Sequence, residues 1–126
     1  MTDLKSKILK THSRKLEDIA QVAYHLFYKE YSYENGRWIH LVDGEWVDDG
    51  DGLTLRQEIG TVMVKSYVDI ITEYNSTAFD QDDEGKDKHL TIARDLTTIT
   101  HHLKVKEYQD KLLCNCASLW SRMKLD

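Results

Sequence analysis

The side chains best suited to chemistry are aromatic and basic residues around a tryptophan. Trp38 lies between Arg37 and His40, and Arg56 and Lys65 follow in the next segment of the chain. Indole rings stack on nucleic-acid bases, and arginine and lysine side chains bind phosphates. These five residues are therefore a candidate DNA-binding patch, although the net charge of the chain is −5.

The tryptophans also have a structural interpretation. Trp38 and Trp46 are large enough to anchor a hydrophobic core, and their bulk favours that role over base stacking. Leu55 and Ile59 lie on the apolar stripe of one predicted helix, and Trp120 lies on the stripe of another. We therefore expect Trp46, Leu55, Ile59 and Trp120 to be structural residues.

Sequence motifs for catalysis are missing. The chain has no G-x-x-x-x-G-K-[ST] loop for a triphosphate, no G-x-S-x-G elbow and no H-E-x-x-H pair. Its carboxylates cluster in predicted loops, not in facing pairs. We expect no catalytic residue and no cofactor in this chain.

Metal-binding patterns also fail. The Asp/Gly-rich residues 48–52 and 80–85 each resemble part of a calcium loop, but the ligand spacing breaks down at Val47 in the first and at Thr91 in the second. Cys114 and Cys116 are not at zinc-ligand spacing, and Cys116 falls on an apolar stripe, where a buried thiol is expected. We therefore expect no metal.

Length and composition limit the class of protein. The 126 residues are 40% hydrophobic and 31% charged, which predicts one soluble domain over residues 1–126. Excess acid is concentrated in residues 31–52 and 76–90, while both ends are mildly basic. No apolar run approaches a membrane span, and the cysteine usage fits a reducing compartment. An intracellular protein is expected.

Hydrophobic periodicity predicts a mainly α fold of about four helices. The first runs from Leu4 to about Tyr28, with a break near residues 11–13 and a possible new N-cap at Ser13. The second runs from about Thr54 to Tyr74, and Thr54 with Gln57 suggests a capping box. Residues 75–87 are predicted to form an acidic loop, and two further helices close the chain.

One small β-hairpin is predicted between the first and second long helices, at residues 37–47. Asp43-Gly44 is a strong signal for a type I′ turn, because both central residues of that turn need positive φ. A two-residue turn pairs Leu41 with Trp46. Alternation of side chains then puts Trp46 on one face of the hairpin and Trp38 on the other. Because a lone two-stranded hairpin is only marginally stable, at least one face must pack on helices.

The order of these features resembles a known module. It is similar to the domain that precedes the superfamily 3 helicase core in poxvirus-type primase-helicases of large DNA viruses and phages. The matching motifs are a tyrosine-rich helix end at residues 24–33, Gly36-Arg37-Trp38, Asp43-Gly44-Glu45-Trp46, Leu55-Arg56 followed by Ile59, a last helix around residues 108–116, and Leu125-Asp126.

The resemblance implies a function in DNA replication, in the host cytoplasm or at a viral replication site. Its parent proteins are hexameric helicase-primases that use ATP and Mg²⁺ to unwind DNA. The module itself would be a non-catalytic collar that joins primase to helicase, supports hexamer assembly and helps load single- or double-stranded DNA. The alternative is a free-standing acidic helical adaptor that binds a host or replication protein. A Walker motif encoded after Asp126 would favour the helicase parent, and a stop codon would favour the adaptor.

Overall fold

A computed structural model describes residues 3–124 of the chain. The predicted Leu125-Asp126 motif lies outside the described residues. Helix α1 (Leu4–Lys10) is capped by the Asp3 carboxylate, which accepts a hydrogen bond from the Ser6 amide. A 3₁₀ turn, Thr11–Ser13, separates it from helix α2 (Leu16–Phe27). The predicted break is therefore confirmed.

The predicted cap of α2 is wrong. The N-cap position is Lys15, not Ser13, and no side chain caps this helix. Arg14 adopts a left-handed conformation with φ 66°, so the chain changes direction after Ser13 and delays the helix start. Asp18, in the first turn of α2, has its carboxylate 3.7 Å from the Lys10 ammonium.

A three-stranded antiparallel sheet follows α2, and the prediction of a single hairpin is wrong. Strands β1 (Tyr31–Glu34), β2 (Arg37–Val42) and β3 (Glu45–Gly50) lie in the order β1-β2-β3. The first turn is Asn35-Gly36, with φ of 55° and 77°. Asn-Gly is as strong a hairpin signal as Asp-Gly. The tyrosines of β1 are nevertheless predicted from the sequence to belong to a helix end.

The predicted register of the second hairpin is confirmed. Leu41 pairs with Trp46, and a bulge between Trp38 and Ile39 brings Trp38 opposite Gly50. Trp38 is on the face that packs against the helices, and Trp46 is on the outer face. The bulge lengthens β3 by one residue relative to β2, which carries the chain towards the next helix.

The central helical stretch begins at Leu53 and runs to Ala78. It comprises helix α3 (Leu53–Glu58), a π-helical turn (Ile59–Met63) and helix α4 (Val64–Ala78). The predicted capping box is wrong, because the N-cap residue is Gly52. The Asp49 carboxylate, reaching from β3, accepts hydrogen bonds from the Thr54 amide and hydroxyl at 3.0 and 2.8 Å.

Two long helices complete the described chain. Helix α5 (Asp83–His102) is capped by Asp82, whose carboxylate accepts from the Gly85 amide at 2.7 Å, and helix α6 is Lys106–Lys124. The predicted acidic loop 75–87 is wrong over most of its length, since α4 extends to Ala78 and α5 begins at Asp83. Acidic side chains in the first turn suit a helix N-terminus, which explains why an acidic stretch is helical.

One cluster of buried side chains joins the helices to strands β1 and β2. The Trp120 indole of α6 donates a hydrogen bond to the Tyr31 carbonyl of β1 at 2.9 Å, and the Tyr67 hydroxyl of α4 lies 2.9 Å from the Thr11 hydroxyl. The prediction of about four helices with one hairpin is thus corrected to a three-stranded sheet after α2, packed among helices. Among the residues that the structure describes, no helix has the length and apolar character needed to cross a membrane.

Candidate functional site

The structure places Trp38 in the core. Its side chain is 3% exposed. It packs edge-on against Trp120 and Tyr33, with ring centroids 5.2 and 5.1 Å apart. A nucleobase cannot reach either face of this indole without unfolding the sheet from α6. Trp38 is therefore a core anchor.

Two other predicted DNA contacts are occupied by partners within the chain. Arg37 is exposed but forms a two-point ion pair with Asp48, at 2.6 and 3.0 Å. This contact lowers the pKa of the Asp48 carboxyl. His40 stacks on Tyr31 at 4.4 Å, and its Nδ1 lies 3.3 Å from the Thr54 hydroxyl. Both side chains support the sheet.

Arg56 and Lys65 lie farther along the central helical stretch. The Arg56 guanidinium donates to the Asp110 carboxylate of α6 at 2.6 Å and lowers the pKa of that carboxyl. It also donates to the Asp51 carbonyl. Lys65 is exposed, and its ammonium lies 3.6 Å from Asp69. The four polar candidates, Arg37, His40, Arg56 and Lys65, thus each have a partner within the chain.

The predicted structural residues divide into two groups. Leu55, Ile59 and Trp120 are buried in the core cluster. Trp46 is 48% exposed, so the expectation that it anchors the core is wrong. Trp46 pairs with Leu41 on the face of the sheet opposite Trp38, where its side chain is only partly covered.

Trp46 instead lines a small cleft beside α2, which we call the tyrosine cleft. The cleft has a volume of about 180 Å³. Tyr24 and Tyr28 stack on each other, with ring centroids 5.2 Å apart, and Tyr24 also packs edge-on against Trp120 at 4.8 Å. The full lining is Tyr24, Tyr28, Tyr31, Ser32, Trp46, Trp120 and Lys124.

Basic residues surround the tyrosine cleft. Lys124 lines it, and its ammonium lies 2.7 Å from Glu34. A second cleft, of about 210 Å³, shares Tyr24 and Tyr28 and is also lined by Lys7 and His25. The mildly basic first and last segments of the chain therefore meet at this surface. An aromatic surface edged by cations is the arrangement that binds single-stranded nucleic acid.

Sequence reasoning missed this cleft, although a signal was present. Tyr24 and Tyr28 are four residues apart on α2, a spacing that puts both rings on one side of a helix. The predicted hairpin register also put Trp46 and Trp38 on opposite faces, without indicating which of them faces outward. Strand β1 was not predicted from the sequence. It directly follows α2 and pairs with β2, and it therefore brings the sheet beside the end of α2.

A wider groove, of about 640 Å³, lies between the sheet and α6. Trp38 and the Arg56–Asp110 ion pair line it, and the exposed thiol of Cys114 lies along its edge. Because the arginine and carboxylate of this groove bond to each other, their charges are largely satisfied. Within residues 3–124, no group of three or more His, Cys, Asp or Glu side chains is placed to hold a metal ion.

Comparison with known proteins gives one informative similarity. The chain is 26% identical over 96 residues, or 76% of its length, to a protein of Acanthamoeba polyphaga mimivirus named as a putative helicase. The chain spans only about a tenth of the length of that protein. This similarity links the chain to a helicase-named viral protein and does not specify the helicase superfamily. No protein-family model matches the chain, and no solved structure matches it.

Proposed function

We propose that this chain is a non-catalytic module of a viral or phage replication helicase of superfamily 3. In the parent protein the module would join primase to helicase, support hexamer assembly and help load DNA, while a separate ATPase domain would use ATP and Mg²⁺. The observation that carries the proposal is the similarity to the helicase-named mimivirus protein over 76% of the chain. The motif order described above agrees with it.

The structure supports a scaffolding role through its packing. Several charged and hydroxyl-bearing side chains, of types that can serve in catalysis, bond to one another instead. The pairs are Arg37 with Asp48, Arg56 with Asp110, and Thr11 with Tyr67. Among the described residues, no buried side-chain nitrogen or oxygen lacks a hydrogen-bond partner. Reaction centres commonly hold perturbed or unsatisfied polar groups. A satisfied interior fits a module that holds other parts in place.

A surface for subunit contacts is available on α4. Val62, in the π-helical turn, is 47% exposed and Val68 is 44% exposed. They are six positions apart, so they lie about 120° apart around the helix axis, on either side of the exposed Lys65. Apolar residues on an exposed helix face suit a contact between subunits of a ring.

The test begins with the coding sequence after Asp126. A Walker motif in the same frame supports the helicase parent, whereas a stop codon supports the acidic adaptor. In a longer protein with that motif, Val62→Glu with Val68→Glu is expected to shift the molar mass measured by light scattering from hexamer towards smaller species. Thr91→Glu, an exposed change on α5, is the matched control. Full hexamer assembly by the double variant would count against this role of α4.

A further inference from the structure

We propose that the tyrosine cleft binds one unpaired base of single-stranded nucleic acid, held between Tyr28 and Trp46. Both side chains are about half exposed, at 46% and 48%, and both line the same cleft. The inference deepens the proposed function, because it names the ligand and the surface that the module would use in loading DNA.

The aromatic groups of the cleft are fixed before a ligand arrives. Tyr24 is held edge-on by the buried Trp120 and stacks on Tyr28 with an interplanar angle of 23°. The β2–β3 ladder sets the backbone position of Trp46 opposite Leu41. Pre-positioned rings lose little conformational freedom on binding, which favours affinity.

The size of the cleft fits one aromatic ring. Its volume is about 180 Å³, and a protein cavity of about 150 Å³ is large enough to bind benzene. A base in a duplex is stacked on both sides and cannot enter such a cleft without being unpaired. The cleft geometry therefore selects single strands over duplexes.

The charges around the cleft suit a phosphate backbone. Lys29 has its ammonium 5.8 Å from the Tyr28 ring centroid, and Lys124 lines the cleft beside Trp46. Lys7 lines the adjoining cleft next to Tyr28, and Arg122 lines a further cleft that shares Lys7. A strand leaving the tyrosine cleft towards α1 would pass these cations in turn.

The acidic groups at this surface are partly neutralised. Glu34, on β1, is bonded to Lys124, and this contact lowers the pKa of the Glu34 carboxyl. Asp18, on α2, pairs with Lys10. Because the chain as a whole carries −5, we expect binding to depend on stacking more than on charge. The salt dependence should then be shallow, with a slope near −2 for about three phosphate contacts.

Tryptophan fluorescence gives a direct test on the intact chain. Trp38 and Trp120 are buried, so quenching by added oligothymidylate reports mainly on the half-exposed Trp46, and the Trp46→Phe variant described below separates it from Trp120. We expect quenching at about 50 mM salt. Tyr28→Ala should weaken binding by roughly 5- to 150-fold, the range for loss of one stacked ring. Phe79→Ala, which removes a more exposed aromatic side chain at the α4 end, is the matched control and should leave affinity unchanged.

A second variant separates stacking from folding. Trp46→Phe keeps an aromatic ring, so binding of a labelled oligothymidylate, followed by anisotropy, should persist while the quenching signal disappears. Thermal unfolding checks that each variant remains folded. The proposal is overturned if oligothymidylate causes no quenching, if Phe79→Ala weakens binding as much as Tyr28→Ala, or if duplex DNA binds equally well. These results concern the chain itself, whereas the proposed function fails on the coding sequence and assembly of a longer protein.

Discussion

The indole Nε1 of Trp120 donates a hydrogen bond to the backbone carbonyl of Tyr31 at 2.9 Å, joining residues 89 positions apart. The bond ties the last helix to the first strand of the sheet. Trp120 also packs edge-on against Trp38 of β2 and Tyr24 of α2. One side chain thus fixes the sheet relative to the two helices that flank it.

Replacing Trp120 tests the importance of this contact. Trp120→Phe keeps an aromatic ring but removes the donor, so the buried Tyr31 carbonyl loses its partner. We expect the free energy of unfolding, measured with urea, to fall by about 1–3 kcal/mol. Trp46→Phe is the matched control on the exposed face and should change it by less than about 0.5 kcal/mol. Equal effects of the two substitutions would contradict the assignment of Trp120 as an anchor.

Asp49 should be important for the start of the central helical stretch. Its carboxylate accepts from the Thr54 amide, the Thr54 hydroxyl and the Leu55 amide. We expect Asp49→Ala to destabilise the protein by about 1–2 kcal/mol, as for loss of a helix cap. Asp51→Ala, an exposed neighbour, should have a much smaller effect in the same urea titration. A neutral Asp49→Ala would show that α3 begins without this cap.

Acid should destabilise the protein through its paired carboxylates. Arg56 lowers the pKa of the Asp110 carboxyl below its usual value of 3.8. Because the folded pKa is lower than the unfolded one, the ion pair stabilises the fold above the unfolded pKa, and that stability is lost as the pH falls through the folded pKa. The free energy of unfolding should decrease between neutral pH and about pH 3. Asp110→Asn should show a smaller decrease, and an unchanged pH profile would contradict the contribution of this pair.

The two cysteines should differ in reactivity. Cys114 is exposed, whereas Cys116 is fully buried on α6 and burial raises the pKa of its thiol. Since the thiolate is the reactive form, a maleimide should label Cys114 in the native protein and both cysteines in denaturant. Mass spectrometry of the labelled peptides identifies the site. Rapid native labelling of Cys116 would show that α6 opens readily.

Local sequence signals predicted the elements whose cause is local. The Asp43-Gly44 turn fixed the pairing of Leu41 with Trp46, because a two-residue turn allows only that register. The buried positions of Leu55 and Ile59 followed from helical periodicity. The break before α2 also agreed with the polar residues at positions 11–13.

Features that depend on tertiary contacts were harder to predict. Strand β1 has four residues, and its tyrosines fit a helix end as well as a strand until β2 pairs with it. The cap of α3 comes from Asp49, five residues before Thr54, because the chain bends at Gly50 and Gly52, both with positive φ. Trp38 and Trp46 lie on opposite faces of the sheet, and their burial, 3% against 48% exposed, depends on how each face packs against the helices.

The central claim, that the chain is a working module of a replication helicase, is tested most directly by DNA unwinding. The measurement compares the longer protein, found by reading the frame past Asp126, with a form that lacks residues 1–124. We expect the shortened form to lose hexamer assembly and strand separation. Its ATPase domain should still bind ATP. Full unwinding activity without this module would contradict the proposed function.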